Sequence, residues 1–148
     1  MAYGMQAISL TASTTLTRKQ HANTRLLMGA SGAALTFTLP APTGSGDIYR
    51  FVVSVVNTSG YLIKAAAGTQ LFKGTIVSAS TTDSATDAAN TWTNGATDDT
   101  ITLDGTTTGG VTIGDWVELE DCSSILWLVK GFVTQSGTEA TPFSDTVT

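Results

Sequence analysis

Hydrophobic and polar positions alternate with a period of two in several short stretches of the chain. In Ala33–Leu39, Leu35, Phe37 and Leu39 fall on one side and Thr36 and Thr38 on the other, the pattern of a half-buried strand. Pro40 and Pro42 stop it, because proline has no N–H to give a ladder. In Ile48–Val56, Tyr49, Phe51, Val53 and Val55 share a face opposite Arg50 and Ser54, and that face is expected to meet the core. Tyr61–Ala66 follows across Asn57-Thr58-Ser59-Gly60. Because Asn and Gly tolerate positive φ, this junction predicts a hairpin.

Further strands are expected at Gln70–Ala79, Thr100–Asp104, Trp116–Glu120 and Ile125–Thr134. Gly74 in the first of these signals a bulge or a close backbone approach. Ile125–Thr134 is apolar on both faces, which suits a central strand or one at a subunit interface. Gly44-Ser45-Gly46-Asp47 reads as a turn and Gly105–Gly110 as a hairpin turn. Between Ser80 and Asp99 the chain is made of Ser, Thr, Asp, Ala, Asn and Gly with Trp92 as its only large apolar residue, consistent with an ordered loop anchored by that ring. No stretch carries a 3.6-residue apolar period.

Turn signals every 8–15 residues or so indicate an all-β protein, a compact antiparallel sandwich or barrel. The organisation expected is an N-terminal arm over 1–25, then a single β domain over 26–148 with a long polar loop at 80–98. Composition agrees. The 148 residues include 28 Thr and 13 Ser, with 41% hydrophobic and only 13% charged. Disorder needs low hydrophobicity and high charge, and β-branched Thr favours strands.

The net charge of −5 conceals an asymmetry: residues 1–46 carry Arg18, Lys19 and Arg25 without an acid, whereas 47–148 carry four bases against twelve acids. An acidic body disfavours nucleic acid, while the basic leading segment could steer docking onto an acidic surface. No membrane partner is expected. The most apolar stretches, Ile48–Val56 and Ile125–Val133, are nine residues each, far short of the roughly 20 that a spanning helix needs. The start of the chain lacks the basic and apolar regions of a secretory signal.

Candidate chemistry is sparse. One Cys (Cys122) and one His (His21) leave no Cys-based zinc site and no Ser–His–acid triad around Gly29-Ala30-Ser31-Gly32. Gly105–Gly110 lacks the Lys-Ser/Thr pair of a phosphate loop. Asp115, Glu118, Glu120 and Asp121 form the densest acidic cluster, and it matches no EF-hand spacing. Glu118 and Glu120 read as a solvated strand face that also carries Trp116, a partner contact or rim residue. His21 reads as an exposed loop residue and Cys122 as a small filler. No enzyme activity, metal or cofactor is expected.

Four phrases have a further content: LTRKQHANTRLLMG at 16–29, FTLPAPTGSGDIYRFVVSV at 37–55, DTITLDGTTTGGVTIGDWVELED at 99–121 and WLVKGFVTQSGTEATPFS at 127–144. Together they resemble small structural proteins of tailed bacteriophages, most specifically capsid decoration (cement) proteins. The resemblance implies a β-rich homotrimer on the outer capsid surface of the virion, made in the host cytoplasm, bridging neighbouring major capsid protein subunits without catalysis. The accompanying expectation is a body that trimerises through apolar strand faces, with Arg18, Lys19, His21 and Arg25 contacting the capsid from the arm. The rival reading is a trimeric head-fibre or tail-fibre module that binds a host surface glycan, with Trp92 and Trp116 as its outward aromatic candidates.

Overall fold

A computed structural model describes residues 6–82 and 89–148. The chain forms a two-layer β-sandwich. One layer is seven-stranded and contains β1 (Ala7–Leu10), β3 (Thr24–Met28), β5 (Ile48–Val53), β7 (Leu71–Ser80), β8 (Ala89–Thr93), β10 (Trp116–Ser123) and β11 (Leu126–Gln135). The other is five-stranded, with β2 (Thr14–Thr15), β4 (Leu35–Thr38), β6 (Tyr61–Lys64), β9 (Thr100–Leu103) and β12 (Phe143–Ser144). A single helical turn, α1 (Arg18–His21), precedes β3. The strand orders are β1-β3-β5-β10-β11-β7-β8 and β12-β9-β6-β4-β2.

The sheets are mixed, which corrects the antiparallel expectation. From β1 to β6 the chain alternates between layers, so β1, β3 and β5 lie parallel in one sheet and β2, β4 and β6 parallel in the other. Ile48–Val53 and Tyr61–Lys64 are therefore not a hairpin: β5 and β6 belong to different layers. Two strands joined by a turn look alike in sequence whether the turn reverses the chain within a sheet or carries it across the core. Here buried Asn57 makes the crossing, donating from Nδ2 to Ala33 O at 2.9 Å and accepting from Ser59 N at 3.0 Å. Gly105–Gly110 is likewise a crossing, from β9 to β10, rather than a hairpin turn.

The polar stretch after Ser80 is also corrected. Its second half is strand β8, paired antiparallel with β7, and Trp92 donates from Nε1 to Gln135 Oε1 at 2.9 Å and approaches Ser78 Oγ at 3.0 Å. The first part of the expected loop, 83–88, lies outside the described residues. Residues 6–25 contribute elements to both layers. Leu10 and Leu16 are buried, and Leu16 N–H donates to Thr38 O at 2.8 Å.

The alternation read from sequence holds along the strands that build the core. Leu35, Phe37 and Leu39 are buried, as are Tyr49, Phe51 and Val53, whereas Val55, expected on the same face, lies past the end of β5 and is only half-buried. Phe37 of the smaller sheet stacks on Phe51 of the larger at 5.9 Å and on Tyr61 at 6.0 Å, while Tyr49 meets Trp127 edge-on at 5.5 Å. Such aromatic pairs contribute about 1 kcal/mol each beyond burial. Gly74 is a close approach: an added Cβ would lie 1.9 Å from Val129 O on the neighbouring β11.

Candidate interaction surface

The outward face of the seven-stranded sheet is organised in cross-strand rows. Register places Ser9, Leu27, Val52, Trp116, Phe132, Val77 and Thr91 side by side from one edge to the other. Five consecutive members, Leu27 to Val77, are apolar, although each points away from the core. Phe132 remains 43% exposed and Val77 36%. In the loop before β10, which is tied to β5 near the middle of this sheet, Ile113 is 67% exposed. Its loop is held there by Gly114 N donating to Val53 O and Val53 N donating to Asp115 O, both at 2.8 Å.

The adjacent row is charged: Arg25, Arg50, Glu118 and Lys130 are successive register partners. Arg50 is its centre. It pairs with Glu118 through Nη2 at 2.7 Å and Nε at 2.9 Å, and its guanidinium lies 4.9 Å from the Trp116 ring centroid. The cation–π contact fixes the aromatic plane against the row behind it. Asn23, Thr24, Ile48, Arg50 and Glu118 line a pocket of about 330 Å³ on this side.

Of the four residues expected to contact a capsid, Arg18, Lys19 and His21 lie on the α1 turn and Arg25 on β3, which follows it. Arg25 is exposed on this face, in the charged row. Lys19 is exposed on α1, where Arg18 is ion-paired with Asp47 and also donates to Thr43 Oγ1 at 3.1 Å. His21 is buried, which corrects the exposed reading. Its Nδ1 lies 2.9 Å from Thr17 N and 3.2 Å from Thr17 O, so the ring is tied to the backbone of its own turn. Phe132, Val77, Arg50 and Lys130 were not singled out from sequence. The available signal was that Ile125–Thr134 is apolar on both faces, and β11 is indeed an interior strand of its sheet.

The acidic cluster divides by strand parity. Glu118 and Glu120 face outward on β10, whereas Asp115 and Asp121 are buried and hold loops. Asp121 accepts from Thr43 N at 2.8 Å, Gly44 N at 2.6 Å and Ser45 Oγ at 2.9 Å. Burial raises its carboxyl, but these donors outweigh burial and hold it below the ordinary carboxylate range. Asp115 accepts from Thr134 N at 2.8 Å, Thr134 Oγ1 at 2.9 Å and Gly110 N at 3.1 Å. There burial prevails and the carboxyl is pushed up. Buried Asp99 accepts from Thr146 N at 3.0 Å, fastening the segment after β12. Among the described residues no group of three or more His, Cys, Asp or Glu could hold a metal ion.

Comparison of the chain with protein-family models, with curated proteins and with solved structures returned no match.

Proposed function

We propose that this chain is a structural virion protein that binds the outer surface of a phage capsid and stabilises it by bridging major capsid protein subunits. The observation that carries the reading is the outward row Leu27–Val52–Trp116–Phe132–Val77, half-buried at Leu27, Val52 and Trp116 and exposed at Phe132 and Val77, on a sheet whose other face already supplies a core. Contiguous apolar surface of this kind marks a docking face. The sequence resemblance to decoration proteins supplies the partner. In this reading the protein acts as a homotrimer, so several weak contacts are made at once and dissociation requires all of them to fail. Arg25 contributes from the face itself, and Arg18 and Lys19 from the leading segment. Binding is by shape and charge, with no chemical step.

The test is to mix the purified protein with undecorated capsids, pellet them, and heat capsids with and without it. Saturable co-sedimentation and a raised capsid melting temperature are expected. No binding, or virions that lack the polypeptide, would refute the reading. The rival glycan-binding fibre module has one observation in its favour, the pocket with Asn23, Arg50 and Glu118 on its wall beside the Trp116 ring. Retention on a glycan array, together with location on the tail or a head fibre, would decide for it.

A further inference from the structure

We propose that copies of this chain join edge to edge, β8 of one pairing antiparallel with β1 of the next, so that the seven-stranded sheets run on from copy to copy. The inference goes beyond the capsid reading and stands without it. It begins with a difference between the two sheets. A free sheet edge displays unpaired N–H and C=O groups and invites another strand, so soluble proteins blunt edges by shortness, charge or proline. The edges of the smaller sheet, β2 and β12, are two residues each. The edges of the larger sheet are β1 (Ala-Ile-Ser-Leu) and β8 (Ala-Asn-Thr-Trp-Thr), longer and without a charge or a proline.

Among the described residues, the hydrogen-bond pattern shows which main-chain groups of the edge strands turn outward. Arg25 N donates to Gln6 O at 2.8 Å and Gly29 N to Leu10 O at 3.0 Å. In a parallel ladder this turns the main chain of Gln6, Ile8 and Leu10 toward β3, leaving that of Ala7 and Ser9 facing outward. At the other edge, Leu71 N donates to Ile125 O and Thr81 N to Gln135 O, both at 2.8 Å, so odd residues of β7 face β11 and even ones face β8. Ile76 and Ser78 stand opposite Trp92 and Asn90. The main chains of Ala89, Thr91 and Thr93 therefore face outward.

The two edges match. Ser9 and Thr91 terminate the same cross-strand row on the outward face, and a Ser–Thr pair is a favourable cross-strand neighbour. On the inner side Ile8 and Trp92 are both partly buried and packed against the margins of the core. Joining β8 to β1 of a second copy would bring these two apolar margins together. Following the pairings across the sheet, β8 runs opposite to β1. Copies related by rotation about an axis along the strands therefore meet in antiparallel register. Such a head-to-tail joint closes into a ring when the rotation allows.

Ser9→Pro and Thr91→Pro test this, because each removes an outward N–H while leaving the ladder to β3 or β7 intact, a place where proline is tolerated. The readout is mass in solution, with circular dichroism confirming the fold of each variant. The wild type is expected at a whole-number multiple of 15.3 kDa, and each proline variant at the mass of a single chain. An equimolar mixture of the two, which retains one good β8 and one good β1, is expected at twice that mass and no more. Ser9→Ala and Thr91→Ala, which keep the N–H, should leave the multiple unchanged. A monomeric wild type, a folded proline variant that still assembles, or a mixture that stays monomeric would overturn the proposal. Capsid co-sedimentation is measured separately, so failure of the joint and failure of the capsid reading are told apart.

Discussion

The two outward faces of the sandwich meet the same solvent and are made differently. On the smaller sheet the outward positions are Thr15, Thr36, Thr38, Thr102 and Ser144, with Leu62 and Lys64 on β6 and Thr100, which is buried and meets Thr146 of the final segment. Threonine suits a pleated surface because its branched Cβ favours strand geometry, and its hydroxyl keeps that surface wet. This is how the chain builds a face meant for water. On the larger sheet the same pleat carries five apolar side chains in one row and four charged ones in the next. The core does not require the five, since Phe51, Val117, Trp127, Val129 and Val133 already fill its side of those strands. Under the proposed function the two faces have different duties, one solvating and one docking.

The most damaging way to break the contrast is Gly74→Ala. The added Cβ has no room against Val129 O, so β7 must move off β11 and the row loses Val77. The expected loss is about 3 kcal/mol of stability, at the upper end for overpacking, read by denaturant unfolding. Asp121→Ala comes next. It leaves Thr43 N and Gly44 N without their acceptor and should cost about 2 kcal/mol, in the range for buried unsatisfied donors. Neither change touches a solvating threonine.

A smaller effect follows from the carboxylates. Asp121, Asp104 and Asp47 titrate below the ordinary value in the folded protein. The unfolded chain thus binds more protons as pH falls toward and below that value, and the stability these groups supply is lost there. Asp115 titrates above it, so the folded form holds its proton more tightly and this one contribution declines as pH rises past the ordinary carboxylate value. Asp115→Asn should abolish that decline while leaving the acid-side loss, as pH-dependent melting would show.

The smallest change in stability sharpens the contrast most. Phe132→Thr with Val77→Thr makes the larger face resemble the smaller one. Unfolding free energy should shift by less than about 1 kcal/mol, as for exposed sites, while capsid co-sedimentation falls sharply. Thr36→Val on the other face should alter neither.

What sequence revealed and what it hid divide along a physical line. Alternation along one strand is a local signal, and it placed Leu35, Phe37, Tyr49 and Phe51 in the core. It also placed Trp116 on the outward face with Glu118 and Glu120. Which strands lie side by side is not local. Nothing in Asn57-Thr58-Ser59-Gly60 distinguishes a reversal from a crossing, so neither the crossing nor the parallel pairings that follow from it can be read there. The row across five strands was illegible for the same reason, because Leu27, Val52, Trp116, Phe132 and Val77 become neighbours only through register. The burial of His21 is equally hidden, because its flanks, Gln20 and Ala22, carry no sign of the turn that shelters it.

The position of β10 and β11 between β5 and β7 has a consequence for synthesis. Until the ribosome has released those two strands, the nascent chain holds the larger sheet as separate pieces, β1-β3-β5 and β7-β8, each with an open flank and neither with its central aromatic, Trp127. Contacts so distant along the polypeptide are slow to form, and half-finished sheets are prone to aggregate. The molecule should therefore fold only after translation is almost complete. Fragments ending before residue 126 are expected to be insoluble, which limited proteolysis and expression of nested truncations can verify.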